Sequence, residues 1–128
     1  MIDRFVLARL LVVVALACPV AACGGAAPAG DTDKLQVTLS QFAVSVTNTS
    51  GRILTEVVVE IEPTGPATAF KTRPETMGAG ETRTLAHTSF VDRDSVPFSP
   101  RTAKGRKVIV TGKDMDGTEL RVEVPFKL

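Results

Sequence analysis

The chain has 128 residues, of which 44% are apolar, and it carries 15 lysines and arginines against 14 aspartates and glutamates. Eighteen of the first 22 residues are apolar, so the remaining residues have the ordinary composition of one small globular domain. The first 22 residues also hold two of the arginines and one of the aspartates, which leaves the rest neutral and excludes a broad nucleic-acid-binding surface.

The first 22 residues have the three-part plan of an export signal. Arg4 and Arg9 make the start basic, residues 10–18 form an uninterrupted apolar run, and Pro19 ends that run before small residues. A membrane-spanning helix needs about 20 apolar residues, so this run is too short to remain as a transmembrane anchor. We therefore predict a signal peptide over residues 1–22.

The end of this leader, Val20-Ala21-Ala22-Cys23, resembles the lipobox of bacterial lipoproteins. The resemblance implies that the Cys23 thiol receives a diacylglyceryl group, that the chain is cut after Ala22, and that the new amine is often acylated too. Two acyl chains hold a protein durably on a membrane. We predict lipidation at Cys23 and a lipid-anchored protein of the bacterial envelope, on the outer membrane facing the periplasm in a Gram-negative host. The alternative is an ordinary cleavage site that releases a secreted protein.

Residues 23–33 read CGGAAPAGDTD and show no hydrophobic periodicity. Their glycines favour a flexible tether, which at this length has a typical span of roughly 18 Å. The domain that follows, residues 34–128, is therefore expected close to the lipid surface.

From Leu35 onward, apolar and polar residues alternate with the period of β-strands. Turn residues at 48–51 separate the second strand from the third, and Asp116-Gly117 marks a hairpin turn. Pro125 cannot donate a ladder hydrogen bond, so the last strand is expected at a sheet edge or end. The predicted strands are residues 35–40, 42–47, 54–62, 67–71, 82–90, 107–111 and 119–126.

About seven short strands in one domain favour an all-β fold, a single antiparallel β-sandwich. The segments 46–51, 57–61 and 77–82 make residues 35–128 resemble an immunoglobulin-like or fibronectin type III-like domain of bacterial envelope proteins. The fold class leaves function open. The predicted core is Leu35, Val37, Phe42, Val44, Val46, Val57, Val59, Ile61, Leu85, Val108, Val110, Leu120, Val122 and Val124.

His87 is the single histidine, so a catalytic triad or a histidine metal site would have to include it. We interpret it as a half-buried strand residue that is hydrogen-bonded to backbone. Only Met77 and Met115 could join it in a copper site, and the Asp114 turn fails the calcium-loop pattern because Pro125 stands where the bidentate glutamate belongs. The sequence therefore predicts no catalytic residue, no metal site and no cofactor.

The loop from residue 91 to 107 is the segment that the fold explains least. Phe98 lies between two prolines and precedes a basic run of Arg101, Lys104, Arg106 and Lys107. One hypothesis makes these five residues a binding surface, with an apolar anchor beside cations that attract an anionic partner or lipid headgroup. The other has Val96 and Phe98 closing one end of the sandwich while the charges stay solvated.

These observations favour a non-enzymatic, membrane-tethered module that binds or scaffolds another envelope component. Its partners are the lipid membrane, through acylated Cys23, and an envelope protein or polymer, with no nucleic acid. The alternative is an exported carrier of a small ligand or metal, and an envelope hydrolase ranks last because no oriented nucleophile and base are visible in the sequence.

Overall fold

The computed structural model describes residues 27–128. The predicted signal peptide and the lipidation site Cys23 lie outside the described residues. The described part of the chain forms eight strands and one 3₁₀ turn, His87–Ser89. The strands are β1 Ala29–Gly30, β2 Leu35–Leu39, β3 Ala43–Asn48, β4 Leu54–Pro63, β5 Phe70–Met77, β6 Thr82–Ala86, β7 Gly105–Lys113 and β8 Glu119–Pro125.

The strands form two antiparallel sheets, as predicted for a β-sandwich. One sheet has the order β1-β8-β7-β4-β5 and the other the order β2-β3-β6. In immunoglobulin constant-type domains the fourth strand joins the sheet of the first, second and fifth strands. Here the corresponding strand, β5, pairs with β4 instead, as the additional C′ strand does in variable-type domains.

Alternation along the strands directs one set of apolar side chains into the space between the sheets. In β4, Val57, Val59 and Ile61 are buried, and in β3 Val44 and Val46 are buried. These strands confirm the predicted register, because successive side chains of a strand point to opposite faces. The structure adds apolar core residues that the alternation did not indicate: Leu54, Phe70, Met77, Phe90 and Phe98. Ile109 is buried as well, but it alternates with Val108 and Val110 and so lies on the opposite face of β7.

Phe42, predicted as a core residue, is instead 78% exposed. In a continuous strand Phe42 would point to the same face as Val44, but β3 begins only at Ala43. The Ser40 hydroxyl accepts hydrogen bonds from the backbone N–H groups of Phe42 and Ala43, so the chain is still turning at this position. Val37, Leu85 and Val124, also predicted as core, are partly buried at its margin.

A strand is predicted at residues 67–71, but the strand in this region is β5, Phe70–Met77, which includes Pro74. β5 forms an edge of its sheet, where a missing backbone donor is tolerated. The pairing of β4 with β5 shifts between Val57 and Val59, and Glu75 adopts a positive φ of 72°. Pro74 therefore lies within a β-bulge at a sheet edge.

The last five residues of the predicted tether, 29–33, lie against the domain. Ala29 and Gly30 pair with β8, and the Asp31 carboxylate accepts a hydrogen bond from the Arg121 backbone N–H at 2.9 Å. A Cβ on Gly30 would lie 2.1 Å from the Arg121 carbonyl oxygen, so this close approach requires glycine. The folded part of the chain thus begins before residue 34.

The antiparallel register divides the loops between two ends of the sandwich. One end, which we call the groove end after the groove described below, comprises loops 40–42, 64–69 and 87–104 with residues 126–128. The opposite end comprises loops 31–34, 49–53, 78–81 and 114–118. The predicted hairpin turn at Asp114 is confirmed at the opposite end, where the Asp114 carboxylate accepts backbone hydrogen bonds from Asp116 and Thr118.

Candidate binding groove at one end of the sandwich

An open groove of about 730 Å³ lies at the groove end. Its volume is in the range of pockets that hold small ligands. It lies between the β2–β3 turn and the loop that leads from β6 into β7. The residues that line it are Gln41, Phe42, Ala86, His87, Thr88, Phe98, Ser99, Pro100, Arg101 and Leu128.

Four aromatic rings pack together beneath this groove. The Phe98 ring lies with its centroid 5.2 Å from that of Phe70, 5.6 Å from Phe126 and 5.8 Å from His87, each in an edge-to-face arrangement. Edge-to-face pairs are favourable because the positive edge of one ring meets the negative face of the other. Gly105 allows Phe126 to approach, since a Cβ there would lie 2.6 Å from the ring.

His87 joins this cluster as the first residue of the 3₁₀ turn and is not a strand residue. Its backbone N–H donates to the Phe42 carbonyl at 2.9 Å, which holds the turn against the β2–β3 turn. Its side chain is buried, with 4% exposure of the residue. Within the described residues neither Nδ1 nor Nε2 has a hydrogen-bond partner. The predicted bond from ring to backbone is therefore not formed.

Burial lowers the pKa of His87 below its ordinary value of 6.5, because an apolar environment disfavours the imidazolium form. The rings of Phe98 and Phe126 surround the imidazole, and Arg101 is the charged residue in the lining of the groove. His87 is therefore neutral near pH 7. One of its nitrogens then carries a hydrogen and the other a lone pair, and both atoms are buried without a partner among the described residues.

We expect His87→Phe to stabilise the domain by about 1 kcal/mol at neutral pH, because it removes two buried polar atoms that lack partners. A His87 pKa that is lower in the folded than in the unfolded chain makes stability fall as pH drops below about 6.5, where the unfolded chain binds the additional proton. His87→Phe should lose that part of the acid sensitivity. Urea unfolding at about pH 7.5 and about pH 5 measures both effects. An equally steep acid loss in the variant would assign the sensitivity to other groups.

Phe98 is fully buried, so it is not the exposed anchor of the first hypothesis. The second hypothesis, in which Val96 and Phe98 close one end of the sandwich, is confirmed for Phe98 and wrong for Val96, which is 52% exposed. The exposed aromatic ring of this end is Phe42, which the alternation pattern assigned to the core. The one signal for its exposure was the adjacent Ser40-Gln41 pair, since serine favours turns.

The structure divides the predicted basic run into two parts. Arg101 lines the groove and Lys104 is exposed in the same loop. Arg106 and Lys107 belong to β7, where their ion pairs with Glu62 are 4.0 and 3.3 Å long. Of the four cations predicted as a binding surface, Arg101 and Lys104 therefore remain at the groove end, and Arg106 and Lys107 contact Glu62.

Lys107 also contacts Glu123 at 3.2 Å, and Arg121 contacts the same carboxylate at 2.8 Å. The hydrogen bond from Arg121, and then that from Lys107, lower the pKa of Glu123. These pairs lie across β4, β7 and β8, and their side chains are partly exposed to solvent, so screening reduces what each contributes to stability. They form a charged outer face on the larger sheet.

The other sequence candidates do not meet His87. Met77 is buried beside the start of β4, and Met115 is 74% exposed in the β7–β8 turn, both at the opposite end. Among residues 27–128, no three side chains of His, Cys, Asp or Glu come together in a way that could hold a metal ion. Within the same range, no helix has the length and apolar character needed to cross a membrane.

Comparisons of this chain with protein-family models, with curated proteins and with solved structures found no match. The groove itself offers apolar walls, one cation and a buried imidazole with both nitrogens unpartnered among the described residues. Such a lining suits an amphiphilic partner whose polar part carries negative charge.

Proposed function

We propose that this chain is a lipid-anchored lipoprotein of the bacterial envelope, and that its domain is a non-catalytic module that binds or scaffolds another envelope component. The anchor is the acylated Cys23, and the binding surface is the groove end. One observation carries the binding role: Phe42 is exposed over a groove in which buried His87 has no polar partner among the described residues. A partner seated on this groove would remove the Phe42 ring and the apolar lining from water, which favours binding.

The surroundings of His87 support a binding role over a catalytic one. A histidine that acts as a general base is usually oriented by a carboxylate or another acceptor on its second nitrogen. In this groove the neighbours of the imidazole are the rings of Phe98 and Phe126. The depressed pKa of His87 also keeps it neutral, as a hydrogen-bonding group for a ligand.

The anchor is tested by Cys23→Ser. We expect complete loss of palmitate labelling and accumulation of the uncut precursor, because the serine hydroxyl is a far weaker nucleophile than a thiolate. Labelled palmitate with gel mobility measures both. Cys18→Ser is the matched control, since it changes the other cysteine of the chain and should label normally. Labelling that persists in Cys23→Ser would contradict the lipoprotein assignment.

The binding role is tested by a photoreactive amino acid at Gln41, beside the groove, and at Met115, in the corresponding turn of the opposite end. In intact cells, irradiation should yield adducts with envelope components from position 41 and few from position 115. Equal yields from the two positions would argue against a binding surface at the groove end.

A second candidate function is an exported carrier of a small ligand, which the volume and the apolar lining of the groove favour. A carrier should retain its cargo through purification, whereas a scaffold should not. Native mass spectrometry of the purified protein distinguishes the two, because a retained ligand adds a discrete mass that His87→Phe should reduce.

A further inference from the structure

The direction of β1 fixes the end at which the chain enters the domain. Ala29 pairs with Glu123 and Gly30 with Val122 in antiparallel register. The chain before Ala29 therefore follows β8 toward Pro125, and Ala27 lines a small cleft together with Val124 and Pro125. This is the groove end of the sandwich.

Cys23 precedes Ala27 by four residues. Whatever the conformation of these residues, covalent geometry limits the distance between the two Cα atoms to about 14 Å. A lipid attached to Cys23 therefore holds the groove end, and not the opposite end, close to the bilayer.

The exposed apolar side chains are concentrated at the same end. Of the six large hydrophobic residues exposed in residues 27–128, four belong to groove-end loops: Phe42, Val91, Val96 and Leu128. Phe42 is the most exposed of them and projects from the tight β2–β3 turn. An aromatic ring on a short turn is the kind of group that enters the boundary between lipid headgroups and acyl chains.

The charges of the loops differ in sign between the two ends. The groove-end loops carry four basic side chains, Arg93, Arg101, Lys104 and Lys127, against the carboxylates Asp92 and Asp94. The opposite end carries two basic side chains, Lys34 and Arg52, against the five carboxylates Asp31, Asp33, Glu81, Asp114 and Asp116. The domain is thus neutral as a whole but has a basic end and an acidic end.

We propose that the groove end docks on the surface of an anionic phospholipid bilayer, with Phe42 at the headgroup boundary and Arg101 and Lys104 against lipid phosphates. This inference rests on the proposed lipid anchor and identifies the lipid surface as the partner of the groove end. Each cation near an anionic surface is attracted to it, while the acidic end is repelled, so the charges orient the domain. The anchor keeps the domain at high effective concentration near the lipid, so weak contacts are sufficient.

On this proposal, the envelope component that the groove end binds is the lipid surface itself. With the groove end against lipid, the outer faces of the two sheets and the acidic opposite end face away from the membrane or along it. A protein that bound the groove end instead would separate Phe42 from the lipid, and the experiment below detects that outcome.

The experiment uses the mature acylated protein with one added cysteine, either Gln41→Cys at the groove end or Met115→Cys at the opposite end. The acylated Cys23 has no free thiol and Cys18 belongs to the leader, so each variant carries one reactive thiol for a fluorophore. The labelled proteins are reconstituted in vesicles of phosphatidylcholine with or without phosphatidylglycerol, which contain a lipid-bound quencher, and are recovered by flotation.

In anionic vesicles we expect quenching about threefold stronger for the Gln41→Cys label than for the Met115→Cys label. The difference should shrink in pure phosphatidylcholine and on raising NaCl from about 0.05 to about 0.5 M. The double variant Arg101→Glu with Lys104→Glu should also reduce the difference in quenching between the two labels. The matched control, Lys34→Glu with Arg52→Glu, removes the same number of cations from the opposite end and should leave it unchanged.

Two failures are distinguishable. Protein that floats with the vesicles but shows equal quenching at both positions, or quenching at position 41 that is indifferent to lipid charge, overturns the docking proposal and leaves the anchor intact. Protein that fails to float overturns the lipid anchor, and the docking proposal with it.

Discussion

Phe98→Ala is expected to lower the free energy of unfolding by about 3 to 5 kcal/mol, a large part of the stability of so small a domain. The ring is fully buried and packs edge-to-face on Phe70, His87 and Phe126. Its removal would leave a cavity beneath the groove that the surrounding strands cannot close. Urea unfolding of the mature chain measures the loss.

Phe42→Ala is the matched control, because it makes the same chemical change at a side chain that is 78% exposed. We expect it to change stability by less than about 0.5 kcal/mol. Similar small effects for both variants would mean that Phe98 is not a core residue and would return it to the role of an exposed anchor.

Asn48→Asp is expected to lower the free energy of unfolding by about 3 kcal/mol or more, although the two side chains have nearly the same shape. The Asn48 amide is fully buried, and its Nδ2 donates to the carbonyls of Arg52, Met77 and Gly78 at 2.6, 3.2 and 3.0 Å. An aspartate at this position would bring a carboxylate oxygen against three carbonyl oxygens and remove their donor.

Thermal unfolding at two pH values tests this explanation. The loss in Asn48→Asp should diminish at acid pH, where the protonated carboxyl regains one donor. Ser50→Ala serves as the comparison, since it removes only the hydroxyl that donates to Asn48 Oδ1 at 2.6 Å, and should cost about 1 kcal/mol. A mild effect of Asn48→Asp at neutral pH would show that the buried Asn48 amide does not hold the 49–53 and 78–81 loops together.

The strands of the centre of each sheet could be predicted from the sequence because their pattern is local. The period-two alternation of Val44 with Val46, and of Val57 with Val59 and Ile61, depends only on the pleat of a strand that has one face buried. The Asp116-Gly117 turn is equally local, since Gly117 adopts a φ of 80° that glycine reaches without strain.

The departures from prediction depend on contacts between distant segments. Asn48 has the sequence character of a turn residue, but two of its acceptors, Met77 at the end of β5 and Gly78 just after it, come 29 and 30 residues later. β5 extends through Pro74 only because no further strand lies beyond it in the sheet. Neither a long-range acceptor nor an edge position is visible in a local pattern.

The candidate groove was only partly predictable for the same reason. The sequence pointed to the loop after β6 and to Arg101, which does line the groove. It also grouped Arg106 and Lys107 with Arg101, but β7 begins at Gly105 and places both in a strand, where they contact Glu62. The packing of His87 against Phe98 and Phe126 unites three segments, so the burial of its nitrogens follows from tertiary structure alone.

The bulge at Pro74 and Glu75 also determines how neighbouring molecules meet. β5 is eight residues long, and Lys71 near its start already pairs with Val91. Beyond that bridge, a regular edge would offer unpaired amides and carbonyls to a strand of another copy. Pro74 has no backbone N–H to donate, and the positive φ of Glu75 turns the following peptide group out of the regular strand direction. Lys71 and Arg73 add positive charge along this edge. The lipid anchor that we propose would confine copies of this domain to a two-dimensional surface, where they would collide far more often than in free solution. On that surface, an edge interrupted in this way would let the copies crowd together without joining into a continuous intermolecular sheet.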